Sequence, residues 1–309
     1  MGSIARDQFL RSYRAIAEAM AESAVRNQND VGDMLRRGLA ISTFNILENF
    51  VEQRIGELAL RVNGGHLSFS DLPDKLAQRA VENVLVVAAK RAFRLDKAEL
   101  LALGKEVGGS LSSVAGPLMV SPMTWLWTGS NMGHADLDDA LRALHVSDVY
   151  ASLRQITGRC GYSVKDANGK PIDLRDALKG VAEERHNSAH NSGHKVSVMV
   201  LSSNLSVVKR VALGFDALAS RAALALRRAD AGYLSDVKWT SPDRIVIRSV
   251  RERNRDFAEM LEGRSIAVTV KKGQDELIKL AASHCDDSNL LLVQSRSSEV
   301  DGWAYPAAD

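Results

Sequence analysis

Cysteine is scarce in this chain of 309 residues: there are two, Cys160 and Cys285. They are too few and too far apart for a disulfide framework or a zinc ribbon, and they fit a reduced, cytoplasmic protein. A charge of one sign is lacking as well. Forty Lys and Arg against 38 Asp and Glu leave a formal net charge of +2, so affinity for an acidic partner must come from a local patch. No stretch approaches the roughly 18 apolar residues of a membrane span, and no membrane partner is expected. The opening MGSIARDQFLRSYR carries Arg6, Asp7 and Arg11 and has no apolar core of signal-peptide length. Arg6 also stands where a myristoylated Gly2 would need Ser or Thr. The glycines of GKEVGGS and GRCG are not followed by Lys-Ser/Thr, which excludes a phosphate-binding loop. No Ser-His-Asp or Cys-His constellation can be assigned from spacing, and there is no internal repeat or low-complexity tract.

What is present is an ordinary globular composition, 45% hydrophobic and 25% charged, with ample length to bury a core. The first three quarters read as helix. DQFLRSYRAIAEAMAESAV places Phe9, Leu10, Tyr13, Ile16, Ala17 and Met20 at three-four spacing. A longer helix over DVGDMLRRGLAISTFNILENFVEQRIGELALRV is stopped by the NGG at 63–65. SDLPDKLAQRAVENVLVVAAKRAF opens with a cap and an early proline. PMTWLWTGSNMGHADLDDALRALHV reads as a loop that opens a helix, and two more helices follow in IDLRDALKGVAEERHNSAHN and SVVKRVALGFDALASRAALALRRADAGYL.

Past residue 235 the texture changes. DRIVIRSV, RSIAVTV and NLLLVQS are strand-like, RNRDFAEMLEG and GQDELIKLAASHC helix-like, and the tail EVDGWAYPAAD irregular. The expected fold is therefore mainly α, a helical domain over 1–235 followed by a small α/β appendage and tail over 236–309. The appendage is expected to pack against the helical domain and to regulate it or bind a partner.

Several polar clusters have bland readings. Asp136, Asp138 and Asp139 are helix-start acids. Trp125 and Trp127 pack under a loop. Arg244, Arg248, Arg251, Arg253 and Arg255 form a basic cluster that would attract phosphate, or else a solvated face paired with Glu252 and Asp256.

The densest chemistry lies in VAEERHNSAHNSGHK, Val181 to Lys195. Asp173 is the expected N-cap, with Asp176 in the capping-box position. The apolar stripe through Leu174, Ala177, Leu178, Val181 and Ala182 then meets Arg185 and Ala189. A charge on an inward stripe is costly unless it is paired or faces a cleft or an interface. Three readings of the stretch stand side by side. His186, His190 and His194, four residues apart, are the spacing of zinc ligands, although the NSG before His194 should end the helix. Arg185 and His190 supply a phosphate-matching cation and a group that titrates near neutrality, as RNA cleavage without metal requires. The remaining reading is a polar helix end with solvated histidines.

RHNSAHN resembles the Arg-polar-x-x-x-His signature of the HEPN ribonucleases, α-helical and usually dimeric RNases, at Arg185, His186, Ala189 and His190. GLAISTFNILENFVEQRIGELA is similar to the early helix of the RiboL-PSP type of HEPN domain, and TGSNMGHADLDDALRALHV to its polar loop before a helix. The likeness covers roughly residues 30–230, and Asn191 replaces the usual glycine after the final histidine. The resemblance implies a helical-bundle endoribonuclease with Arg185 and His190 catalytic and His186 in the polar position. Asn187 is added on chemical grounds, as an amide that can orient phosphate or ribose. It further implies no metal or other cofactor, a 2′,3′-cyclic phosphate product, a homodimer and an RNA substrate. A toxin or antiphage role follows, with an antitoxin or regulatory protein as a further partner. The alternative is a non-catalytic helical module that binds RNA or protein.

Overall fold

The computed structural model describes residues 2–129, 131–165, 169–235 and 240–309. It bears out a mainly α chain with a small α/β segment at its C-terminal end. The helices are α1 (Ile4–Ala21), α2 (Ser23–Arg26), α3 (Asp30–Asn63), α4 (Asp74–Ala92), α5 (Lys97–Ser112) and α6 (His134–Ala143). They continue as α7 (Val149–Arg159), α8 (Leu174–His190), α9 (Val198–Arg227), α10 (Ala231–Ser235) and α11 (Gln274–Ser283).

Two compact units are present, and neither is continuous in sequence. The first takes Met1–Gln53 and Tyr150–Phe215, the second Arg54–Val149 and Asp216–Asp309. In the first unit Phe9, Leu10, Ile16 and Met20 of the α1 stripe are buried as their spacing requires, Tyr13 is half-buried and Ala17 is exposed. Ile16 and Met20 pack with Ala40, Val196, Leu201 and Leu205, while Phe9 lies 5.0 Å from Phe50 and Phe50 is edge-on to Phe215 at 6.3 Å. Arg36, 2% exposed, donates to the carbonyls of Val25 and Asn27 and pairs with Asp33, fixing the entry to α3. α9 has the length and apolarity of a membrane span. Many of its apolar side chains are core, however: Leu201, Val208, Val211, Leu213 and Leu218 are all 0% exposed, while Met199 near its start is 79% exposed.

In the second unit the strands β1 (Val246–Arg253), β2 (Asp256–Leu261), β3 (Thr269–Lys271), β4 (Asn289–Gln294) and β5 (Val300–Ala304) form one sheet in the order β3-β2-β1-β4-β5. β1 runs parallel to β4, and the other neighbours are antiparallel. α11 makes the crossover and buries Leu277 and Ala281 against Val250 and Leu291. Two expectations are corrected here. RNRDFAEMLEG is not a helix: Asn254 takes a positive φ of 49°, the chain turns back, and Asp256–Leu261 pairs with β1 as β2. The tail is not irregular, because Val300–Ala304 pairs with β4 as β5.

The division expected at 235/236 also differs from the observed units. Residues on both sides of that point share one buried polar cluster. Asp216 of α9, 0% exposed, accepts from Arg54 Nε at 2.7 Å, Ser220 Oγ at 2.8 Å and Trp303 Nε1 of β5 at 2.8 Å.

The glycines that end α3 allow a close backbone approach. A Cβ on Gly65 would lie 2.5 Å from the carbonyl oxygen of Arg227 and 2.9 Å from its Cα. Main-chain atoms cannot step aside as a side-chain tip does. Gly65→Ala is therefore expected to cost about 1–3 kcal/mol, the usual scale of overpacking, as a lower urea midpoint with an unchanged slope.

Candidate functional site

α8 carries every residue of the candidate site, and its start is set by sequence. Asp173 has an extended backbone, and its carboxylate accepts the N–H groups of Arg175 at 2.8 Å and Asp176 at 3.3 Å, satisfying two of the helix's open donors. Leu174, Leu178 and Val181 are buried one turn apart. Arg185 follows at the edge of this stripe and is half-buried. The next buried residue is Ser188 rather than Ala189, which is exposed. The stripe thus continues by a step of three after Arg185, and the helix turns its small hydroxyl inward.

His186, Asn187 and His190 are exposed. The two imidazoles are one turn apart, with ring centroids 4.7 Å from each other and planes inclined by 49°. They lie roughly 200–240° around the helix from Glu184, at about 100° per residue, on the side away from Ser188. Arg185 sits between the two sides.

The helix ends at His190 as the NSG sequence predicts. Asn191 is extended, its N–H bonds to the carbonyl of Asn187, and its side-chain oxygen accepts from Gly193 N at 3.0 Å. The chain then folds back on the other side of α8, where His194 Nε2 bonds the Glu184 carboxylate. The zinc arrangement is therefore not assembled, since His194 faces Glu184 and not the His186–His190 pair. Among the described residues, no group of three or more His, Cys, Asp or Glu side chains is placed to hold a metal ion.

Sequence reasoning missed two neighbours of this helix end. Arg37 of α3 donates through Nη1 to the Asn191 carbonyl at 3.4 Å, and Lys195 lies 3.9 Å from Asp33. Nothing local marks Arg37, which is 154 residues away in sequence. Arg37 suits the C-terminal carbonyls of α8 and the negative end of the helix dipole.

In the other polar clusters several members have internal partners, although Arg244, Arg253 and Arg255 of the basic cluster are exposed. Asp136 accepts Gly133 N at 2.7 Å and so serves the start of α6, whereas Asp138 pairs with Arg142 one turn on and Asp139 lies 4.0 Å from Arg79 of α4. Trp125 is buried under its loop at 4% exposure. Asn83 holds that loop through the carbonyls of Met123 at 2.7 Å and Leu126 at 2.8 Å. Ser130, within the polar loop that resembles a HEPN feature, lies outside the described residues. In the basic cluster, Arg248 pairs with Glu259 rather than with Glu252 or Asp256, and Arg251 donates to Gln294 at 3.0 Å. Cys160 is buried. Burial pushes the Cys285 thiol up to about 11, which keeps it protonated and unreactive at neutral pH.

Comparison of the chain with protein-family models, curated proteins and solved structures finds no match.

Proposed function

We propose that the chain is a metal-independent endoribonuclease that works as a homodimer. The observation that carries this reading is the end of α8, where the exposed His186–His190 pair, 4.7 Å between ring centroids, adjoins the half-buried Arg185. In the reaction an imidazole, that of His190, takes the proton of a ribose 2′-hydroxyl. The 2′-oxygen attacks the neighbouring phosphorus, and the 5′-oxygen leaves with a proton from a second imidazole. The products are a 2′,3′-cyclic phosphate and a 5′-hydroxyl end. A permanently charged guanidinium, that of Arg185, matches the phosphate oxygens on which charge accumulates. His186 supplies a second group able to carry a proton, and the Asn187 amide orients phosphate or ribose. Arg185 and His190 diverge by roughly 140° on one helix. A two-fold pairing of helix ends, in which each α8 meets its mate, completes the set.

Arg185→Ala and His190→Ala should each lower cleavage of a labelled RNA by about 10²–10⁴-fold, with melting temperature unchanged. EDTA should have no effect, and a substrate with 2′-deoxyribose at the scissile position should resist. Cleavage surviving in both variants, or lost to EDTA and restored by zinc, overturns the reading. A toxin or antiphage role in the cytoplasm, checked by an antitoxin or regulatory protein, belongs to the same proposal. The non-catalytic alternative draws less support, because Arg248 and Arg251 of its basic cluster are engaged within the sheet.

A further inference from the structure

The hairpin of α4 and α5 carries apolar side chains that its own unit leaves in the open. Phe93, between the two helices, is 90% exposed, and Leu101 on α5 is 68% exposed. Leu85, Ala89 and Phe93 follow one another at four-residue steps and so line one side of α4. On α5, a Cβ added at Gly104 or Gly108 would meet nothing within 4 Å. Monomers seldom leave such a face uncovered without a partner for it.

The chemistry of the partner is set by the charges around Phe93. Lys90, Arg91, Arg94 and Lys97 stand against Asp96 and Glu99, four cations to two anions, a local +2. Both anions are engaged at the start of α5. Asp96 accepts the Glu99 N–H at 2.9 Å and Glu99 accepts the Asp96 N–H at 3.0 Å. Lys90 donates to the Thr128 carbonyl at 3.1 Å, which leaves its charge at the surface.

We propose that this hairpin docks on an anionic phospholipid surface. Phe93 and the α5 leucines enter the boundary between headgroups and acyl chains, and the flanking cations meet the lipid phosphates. Aliphatic side chains gain from hydrocarbon, whereas single-stranded RNA is gripped by stacking on aromatic rings, of which this face offers one. A second copy of the chain would set four cations against four across a two-fold axis. Surface docking of this kind combines apolar burial with attraction to anionic lipid and needs no spanning segment. The expectation that no membrane is a partner rested only on the absence of such a segment. This inference does not depend on ribonuclease activity.

The test uses the full chain with vesicles of phosphatidylglycerol mixed into phosphatidylcholine, and of phosphatidylcholine alone. Co-sedimentation should occur with the first and not the second, and should weaken as salt rises. The double variants F93S/L101S and R94E/K97E should each lower the bound fraction by about tenfold or more, with melting curves like the parent's because the positions are exposed. F93W should shift its emission to the blue on anionic vesicles. No binding, equal binding to both vesicle types, or variants that bind like the parent overturns the proposal. So does an emission change with single-stranded RNA in place of vesicles. If F93S turns a dimer into a monomer on gel filtration, the face belongs to a second copy instead.

Discussion

Replacing Asp216 with alanine is expected to lower the free energy of unfolding by about 3–5 kcal/mol, the usual cost of removing one partner from a buried ion pair. Asp216 is 0% exposed and Arg54 1%. Besides its bond to Asp216, Arg54 donates to Glu57 at 2.7 Å, Ser220 at 2.8 Å and Asp309 at 3.1 Å. The guanidinium therefore remains buried when the carboxylate is gone, with one of its closest partners missing and the Trp303 N–H orphaned. Asp216→Asn keeps the shape and loses the charge, so it should fall between parent and alanine. Arg54→Met combined with Asp216→Leu should cost much less than the sum of the single changes, because it removes both charges together. Urea unfolding followed by circular dichroism reads these variants and the two single changes. A loss below about 1 kcal/mol for Asp216→Ala would mean that the cluster does not hold the unit together.

A chain cut after Ser235 should fail to fold its second unit. The cut removes β1 to β5 and with them Trp303, 4% exposed, and Tyr305, 0% exposed. Asp216 then loses the donor that comes from β5, and Arg54 loses Asp309. The truncated chain should lose part of its cooperative melting, expose apolar surface to a fluorescent dye, and give fast amide exchange over 54–149. A truncated chain that melts like the parent would instead restore the division at 235/236 and a separable regulatory appendage. Any change in RNA cleavage on truncation is meaningful only beside this measurement.

Local features of the chain were legible in the sequence, and long-range ones were not. Asp173, the buried Leu174, Leu178 and Val181, and the stop after His190 all follow from capping and three-four spacing. DFAEML misled because its residues form helices readily, and tertiary pairing outweighs such preferences. The usable signal was Asn254, a residue that tolerates positive φ in a tight turn between Arg253 and Asp256. The strand in VDGWA was hidden by a glycine and by the brevity of the run, and its pairing with β4 includes a register shift at Val293/Gln294. At the candidate site, His194 was legible as a histidine four residues on from His190. Its turn back to Glu184 depends on how the chain leaves the helix. Arg54 and Asp216, 162 residues apart, could not be joined from one sequence.

The interleaving of the two units also imposes an order on synthesis. The first unit has all its residues once Phe215 has emerged, whereas the second still lacks Asp216–Asp309. At about 5–20 residues per second, the remaining stretch takes on the order of 5–20 s to be made. Through that interval Arg54–Val149 waits without the buried carboxylate of Asp216 that pairs with Arg54, and without the rest of its unit. It is then the part of the nascent chain most open to chaperones and proteases. The end of α8, with Arg185 and His190, lies in the unit that can close first. A ribosome stalled beyond Phe215 would therefore display that helix end in a folded setting while the rest of the protein was still being made.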